Sequence, residues 1–188
     1  AGLRHMTAGE SHGPYLLGIL DGLPAGLPLA PGDLRPRMRR RQGGHGRGKR
    51  MSIETDEPEI VGGTWKGVTT GAPLGLLIAN RSNRQGRTQA RKTVPRPGHA
   101  DLAGALKYGF DDVNPVIERA SARETAMRTA LGAAAACLLE HFGVRLAAHV
   151  VEIGGVAAPA PAQDASPDAI EAAREASPVA CCDAAASA

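Results

Sequence analysis

The sequence predicts a fold that mixes helices with strands, and three observations carry that prediction. Short apolar runs bounded by turn residues recur through the first 80 positions. One long segment after residue 115 repeats its apolar residues at helical spacing. Glycine and proline, 24 and 14 of 188 residues, are dense enough to cut the chain into short units joined by shaped loops. The length suits about one domain or slightly more. Hydrophobic residues make up 43% and aromatic residues only 3%, so the core has to be built from Ala, Leu, Val and Ile.

Taken in order, Tyr15 to Gly22 reads as a buried strand, ended by a turn around Pro24-Ala25-Gly26. Pro31-Gly32-Asp33 starts a short helix that leads into a block of arginines, and Gly43 to Gly48 is a loop. Met51 to Glu54 and Glu59 to Val61 are short strand candidates. Leu74 to Ala79 is a better one, a continuous apolar run between Pro73 and Asn80. Residues 80–98 lack apolar periodicity and read as an exposed or ligand-ordered loop. Between 115 and 142, Ile117, Ala120, Met127, Leu131, Ala134, Leu138 and Phe142 mark one helical face, with Gly143 as the stop. Asn114-Pro115 and Ser121-Ala-Arg-Glu124 both offer a start. The capping box at Ser121 is the better one, which leaves 115–120 as a separate bend. Val144 to Gly154 then reads as a strand, and Pro167 to Ala176 as a short helix.

No apolar run reaches the roughly 18 residues of a membrane span. The N-terminus carries no signal-peptide pattern. Cys137, Cys181 and Cys182 make neither a disulfide framework nor a zinc pattern, so no metal site is expected. These features point to a soluble, reduced, cytoplasmic protein. The net charge is only +3, yet Arg35, Arg37, Arg39, Arg40, Arg41, Arg47, Lys49 and Arg50 follow one another without an acid. A second acid-free stretch holds Arg81, Arg84, Arg87, Arg91, Lys92 and Arg96. Such blocks suit a solvated loop, a nucleic-acid arm or a pocket for a multiply charged small anion.

Three motifs bear on that choice. Gly9-Glu10-Ser11-His12-Gly13 fits the nucleophile elbow of serine hydrolases, but Pro14 and a strand follow it where a helix is needed. Gly43-Gly-His-Gly-Arg-Gly48-Lys49-Arg50 nearly fits a P-loop, but Arg50 replaces the hydroxyl that holds magnesium, and no buried strand precedes it. Arg119-Ala-Ser-Ala-Arg-Glu124 opens the long helix. Free N–H groups and two arginines in that first turn would suit a phosphate.

Together these segments resemble the chorismate synthase family. Gly9 to Gly13 with Asp21-Gly22-Leu23-Pro24 resembles its N-terminal signature, and Arg40-Arg-Gln-Gly-Gly-His-Gly-Arg-Gly48 its arginine loop. Arg96-Pro-Gly-His-Ala-Asp101 with Lys107-Tyr108-Gly109 resembles its central motif, and Glu118 to Ala126 its second signature. The four motifs stand in family order between residue 3 and about residue 155. The resemblance implies an α+β sandwich of helices and antiparallel sheets, assembled as a homotetramer. Residues 1–188 would be the N-terminal half of a single domain, with the C-terminal half outside this chain.

The implied reaction is a 1,4-anti elimination of phosphate from 5-enolpyruvylshikimate 3-phosphate to chorismate, requiring reduced FMN. NADPH or an outside reductase would supply the electrons for the flavin. By resemblance, His12 protonates the leaving phosphate and His99 the reduced flavin, and an ordinary imidazole pKa near ~6.5 suits both tasks. Arg41 and Arg47 match arginines for NADP and substrate phosphate. Arg119, Ala120 and Ser121 match the FMN-contacting segment, with Arg123 in the same turn. Ala120 stands where many relatives have Ser, and Phe110-Asp111-Asp112 and Pro115 where relatives usually carry basic residues. The alternative is a basic RNA- or DNA-binding module on the Arg35–Arg50 block. Single-strand binders stack bases on aromatic rings, and none lies between Tyr15 and Trp65. No nucleic acid and no membrane partner is therefore expected.

Overall fold

The computed structural model describes residues 2–84 and 89–188. The chain opens with β1 (Arg4–Ala8), turns through glycines, and returns antiparallel as β2 (Tyr15–Asp21), with Met6 opposite Ile19. Helix α1 (Pro31–Gln42) starts at a proline, and the Asp33 carboxylate accepts from the Ala30 N–H at 2.7 Å. It is longer than expected and itself carries Arg35, Arg37, Arg39, Arg40 and Arg41 of the arginine block. A 3₁₀ turn (Lys49–Ser52), β3 (Pro58–Gly62) and the hairpin β4 (Thr64–Trp65) and β5 (Val68–Thr69) follow. Next come β6 (Leu74–Ala79), α2 (Asp101–Tyr108), α3 (Asn114–Arg119) and α4 (Glu124–His141). The last elements are the hairpin β7 (Glu152–Ile153) and β8 (Val156–Ala157), then α5 (Pro167–Ala176).

Strands β1, β2, β6 and β3 form one antiparallel sheet in that order. Alternation decides its faces. Leu16 and Leu20 of β2 and Leu74, Leu76 and Ile78 of β6 point inward and are buried. They meet Leu34 and Met38 of α1 and Met127 and Leu131 of α4 in one core cluster. Burying each such side chain stabilises by about 1.5–3 kcal/mol. The alanines of α4 (Ala126, Ala130, Ala133, Ala134) complete the cluster and let neighbouring backbone come close. At Gly18 the approach is closest, since a Cβ there would lie 2.4 Å from the Met127 sulfur. The opposite face of the sheet leaves Met6, Tyr15, Leu17, Ile19 and Val61 exposed. The architecture is α+β, helices layered on an antiparallel sheet.

Several expectations need correction. Met51 to Glu54 is not a strand. The Arg50 carbonyl accepts from both Ile53 and Glu54, which winds the segment into the 3₁₀ turn. The long helix begins at Glu124, not at a Ser121 cap. The Ser121 hydroxyl instead accepts from the Arg123 N–H at 3.2 Å, and residues 114–119 form a helical turn of their own. Its end is as expected: Gly143 adopts φ +74°, and its N–H reaches the Glu140 carbonyl at 2.9 Å. Of 144–154, only Glu152–Ile153 is a strand, paired with β8, while Val150 makes a single isolated bridge to Cys181.

Candidate active site

The loop between β1 and β2 carries His12. Gly9 takes φ +106°, and a Cβ there would strike the Tyr15 carbonyl oxygen at 2.4 Å, so this exit from β1 demands glycine. Three elements tie the loop down. Asn80, at the end of β6, donates its amide to the carbonyls of Glu10 and Gly13 at 3.2 and 2.8 Å. The Arg84 N–H reaches the His12 carbonyl at 2.8 Å, and the Arg50 guanidinium donates to the Ser11 carbonyl. From α3, the Ser11 N–H donates to the Glu118 carbonyl at 3.1 Å.

The Glu118 carboxylate closes on the same two residues. It lies 2.9 Å from His12 Nδ1 and accepts from the His12 N–H and the Ser11 hydroxyl, each at 2.8 Å. Burial raises its pKa, but the His12 ring, the Ser11 hydroxyl and the His12 N–H outweigh that and hold it below the ordinary carboxylate value. The carboxylate is therefore ionised at neutral pH.

Beneath the loop runs a buried ionic network. Arg123 directs Nε to Asn80 Oδ1 at 2.7 Å and Nη1 to Asp56 Oδ1, while Arg41 Nη1 donates to Asp56 Oδ2 at 2.7 Å. Arg41 also donates to the Thr125 hydroxyl at 3.0 Å. Glu54 accepts from the Arg81 N–H, the Ser82 hydroxyl and Arg50. Burial works to raise the Glu54 pKa, yet these donors and the charge of Arg123 bring it down to about 2. So Arg123 sits inside the protein, 6% exposed, with its guanidinium on Asp56 and Asn80. Arg87 of the second basic stretch lies outside the described residues.

His99 stands apart from His12, exposed at the tip of a loop. That loop is stapled by Arg96, whose N–H and guanidinium engage Asp101 at 2.9–3.0 Å. The Arg96 hydrogen bonds outweigh the burial of Asp101 and hold its pKa at about 2. No contact among the described residues joins the two histidines. Among the described residues, no three His, Cys, Asp or Glu gather as a metal would need, and no helix is long and apolar enough to cross a membrane.

Two clefts flank these loops. One, of about 960 Å³, lies between the end of α1, the glycine-rich loop, α4 and the segment after α5, and is lined by both Arg41 and Arg47. Arg47 is exposed, its Nε bonded to the Gly43 carbonyl at 2.6 Å, and the His45 N–H pins the loop to the Pro178 carbonyl at 2.7 Å. The other cleft, of about 750 Å³, lies between β1, α2, α3 and the start of α4. It is lined by Thr7, Lys107, Tyr108, Phe110, Arg119 and Ala120 among others, and Ala100 beside His99 forms part of its rim. Ser121 and Arg123 do not line it. The first turn of α4 also offers no free N–H groups at residues 124–126. Those N–H groups bond to the carbonyls of Ser121, Ala122 and Arg123, each at 3.1 Å. The anion capacity of the second cleft therefore rests on its side chains.

The arginine block is not an open basic stripe. Arg37 pairs with Glu140, Arg40 with Glu171 and Glu175, Arg41 with Asp56 and Arg50 with Glu54. Acids elsewhere in the chain pair with four of its arginines, which weakens the case for a nucleic-acid module. Sequence reasoning had missed Glu118, Asp56, Glu54 and Asn80. Glu118 heads the second signature motif, one residue before Arg119, and that position was its only signal.

Fold and site define an α+β protein with a carboxylate-held histidine and, separately from it, two arginine-bearing clefts whose linings do not include His12. The family model described as chorismate synthase matches residues 3–188, and the chain belongs to the chorismate synthase family. It is similar to the chorismate synthase of Geobacillus thermodenitrificans (48% identity, 96% of this chain, 50% of the relative). It is also similar to that of Pelobacter propionicus (49% identity, 98% of this chain, 49% of the relative). A solved structure titled as the crystal structure of chorismate synthase superposes with a TM-score of 0.75 at 36% identity, covering 95% of this chain and 48% of the other. The chain thus spans about half the length of the curated relatives it matches.

Proposed function

We propose that this chain supplies the N-terminal half of a chorismate synthase domain, a carbon–oxygen lyase that eliminates phosphate from 5-enolpyruvylshikimate 3-phosphate to give chorismate. The observation that carries this reading is His12, half-buried and held through Nδ1 by an ionised carboxylate in a loop that five hydrogen bonds fix to the frame. A held imidazolium is a proton donor for a leaving phosphate oxygen. Arg47 and the exposed edge of Arg41 give the first cleft its positive charge, for the phosphate of NADP or of the substrate.

The second cleft fits a phosphate-bearing aromatic cofactor by its donor set. Lys107 and Arg119 stand beside the Tyr108 and Phe110 rings, whose centroids are 5.8 Å apart, while Glu124 on the same wall takes the Thr7 hydroxyl at 2.8 Å and pairs with Arg119 at 3.1 Å. Arg119 and Ala120 would line the FMN site directly, with Ser121 in the next turn and Arg123 supporting them from below. Reduced FMN, when bound, supplies electron density to the elimination. His99, next to the rim residue Ala100, would hold a proton at the flavin, and the stapled loop would keep it there. The same reading places the protein in the cytoplasm as a homotetramer, with NADPH or an outside reductase reducing the flavin.

The test uses the full-length protein with reduced FMN. His12→Ala and His99→Ala are each expected to cut turnover by roughly 10²–10⁴-fold with unchanged thermal unfolding. A near-normal rate in either variant removes that residue from the mechanism.

A further inference from the structure

We propose that Glu118 is the positioning residue of His12: it fixes which ring nitrogen carries the reactive proton and holds the ring and its backbone as one unit. This inference rests on the proposed role of His12 and goes further by giving a role to Glu118, which the sequence marks only as the first residue of a motif.

The argument starts from hydrogen-bond capacity. An ionised carboxylate only accepts, so the ring nitrogen 2.9 Å from Glu118 Oε1 has to carry a hydrogen. That nitrogen is Nδ1. In the neutral ring the lone pair is then on Nε2, and in the imidazolium the Nε2–H is the proton left free to leave. Among the described residues nothing pairs with Nε2, and the His12 side chain is 23% exposed. The second carboxylate oxygen takes the His12 backbone N–H and the Ser11 hydroxyl, each at 2.8 Å. One carboxylate therefore grips the ring, the backbone and the neighbouring side chain, which limits both ring flipping and loop movement.

The proton balance is simple. The Nε2–H passes to a phosphate oxygen as the carbon–oxygen bond breaks, the neutral Nδ1–H ring remains against Glu118, and solvent returns a proton to Nε2. Glu118 stays ionised throughout. Its negative charge lies directly against the ring that donates the proton. The charged residues at the loop are Glu10 within it, Glu118 from α3, Arg50 from the 3₁₀ turn and Arg84, whose N–H bonds to the His12 carbonyl. Arg50 opposes the imidazolium, but Glu54 is its ion-pair partner at 3.1 Å.

The experiment compares Glu118→Gln and Glu118→Asp with wild type in the full-length protein. It reads pH–rate profiles and the ¹⁵N resonances of His12 in histidine-labelled protein. The wild-type neutral ring should be the Nδ1–H tautomer. Glu118→Gln should move the His12 titration and the alkaline limb of turnover about one pH unit lower. Turnover should fall about 10-fold or more while the substrate KM changes less than 2-fold. Glu118→Asp should recover part of the pH shift. A wild-type Nε2–H tautomer, or an unmoved His12 titration in Glu118→Gln, overturns the inference. The tautomer is read on wild type, so a variant that fails to fold does not protect the idea. If His12→Ala proves fully active, the proposed role of His12 fails, and the His12 resonances still decide whether Glu118 holds the ring.

Discussion

Arg41 and Arg123 grip opposite oxygens of one buried carboxylate, Asp56, from the end of α1 and the entry to α4. Each guanidinium then reaches further, Arg41 to Thr125 and Arg123 to Asn80, so Asp56 links the arginine loop to the histidine loop. Removing it leaves two guanidinium groups facing each other in a dry site. Asp56→Ala is expected to cost about 3–5 kcal/mol in urea unfolding. A loss below 1 kcal/mol would show that water enters and that the network is not closed.

Arg41 and Arg47 share a cleft but not an environment, and that separates their variants. Arg47→Ala should weaken binding of a phosphate-bearing anion by about 1.5–3 kcal/mol, less at high salt, with unfolding unchanged. Arg41→Ala should weaken binding and stability together, because Asp56 loses a partner. Isothermal titration with inorganic phosphate alongside denaturant melts checks both. Equal stability losses in the two variants would contradict this division.

Gly18 faces α4 where β2 crosses it. Gly18→Ala would put a methyl group into the space of the Met127 side chain and should cost about 1–3 kcal/mol. Met127→Ala in the Gly18→Ala background should cost less than it does in wild type, since the added methyl fills part of the cavity. Additive losses, measured by chemical unfolding, would mean the backbone has shifted instead.

Glu54 and Asp101 set the acid limit. Both have folded-state pKa values of about 2, below their ordinary 4.5 and 3.8. A depressed carboxylate contributes stability that is fully present above its unfolded pKa and lost as pH falls through the folded one. Stability should therefore decline from about pH 5 towards pH 2. In Glu54→Gln that decline should be shallower, from a lower plateau. A pH-independent melting temperature across that window would refute the assignment.

Elements whose signal lies within their own residues were legible. The apolar runs of β2 and β6, the Pro167 start of α5 and the Gly143 stop of α4 could each be read locally. Those set by distant partners could not. β1 is an edge strand with little apolar alternation, defined by its pairing with β2. α2 contains Gly104, a poor helix former, at a position where a Cβ would lie 2.4 Å from Val116 of α3. The site divides in the same way. His12 and Arg47 were legible from motifs, whereas Glu118 reaches His12 from 106 residues away, and no spacing rule connects them.

The ion pairs of α1 also bear on how the chain is made. Arg37 meets Glu140 across 103 positions, and Arg40 meets Glu171 and Glu175 across 131 and 135. During synthesis the arginines leave the ribosome long before those glutamates exist. For that interval Arg37 and Arg40 lack those partners, and polyanions nearby compete for them. Long-range pairs of this kind also close late in refolding, because the intervening loop entropy has to be overcome first. The charge that suits the finished molecule to small anions thus makes its half-made form adhesive.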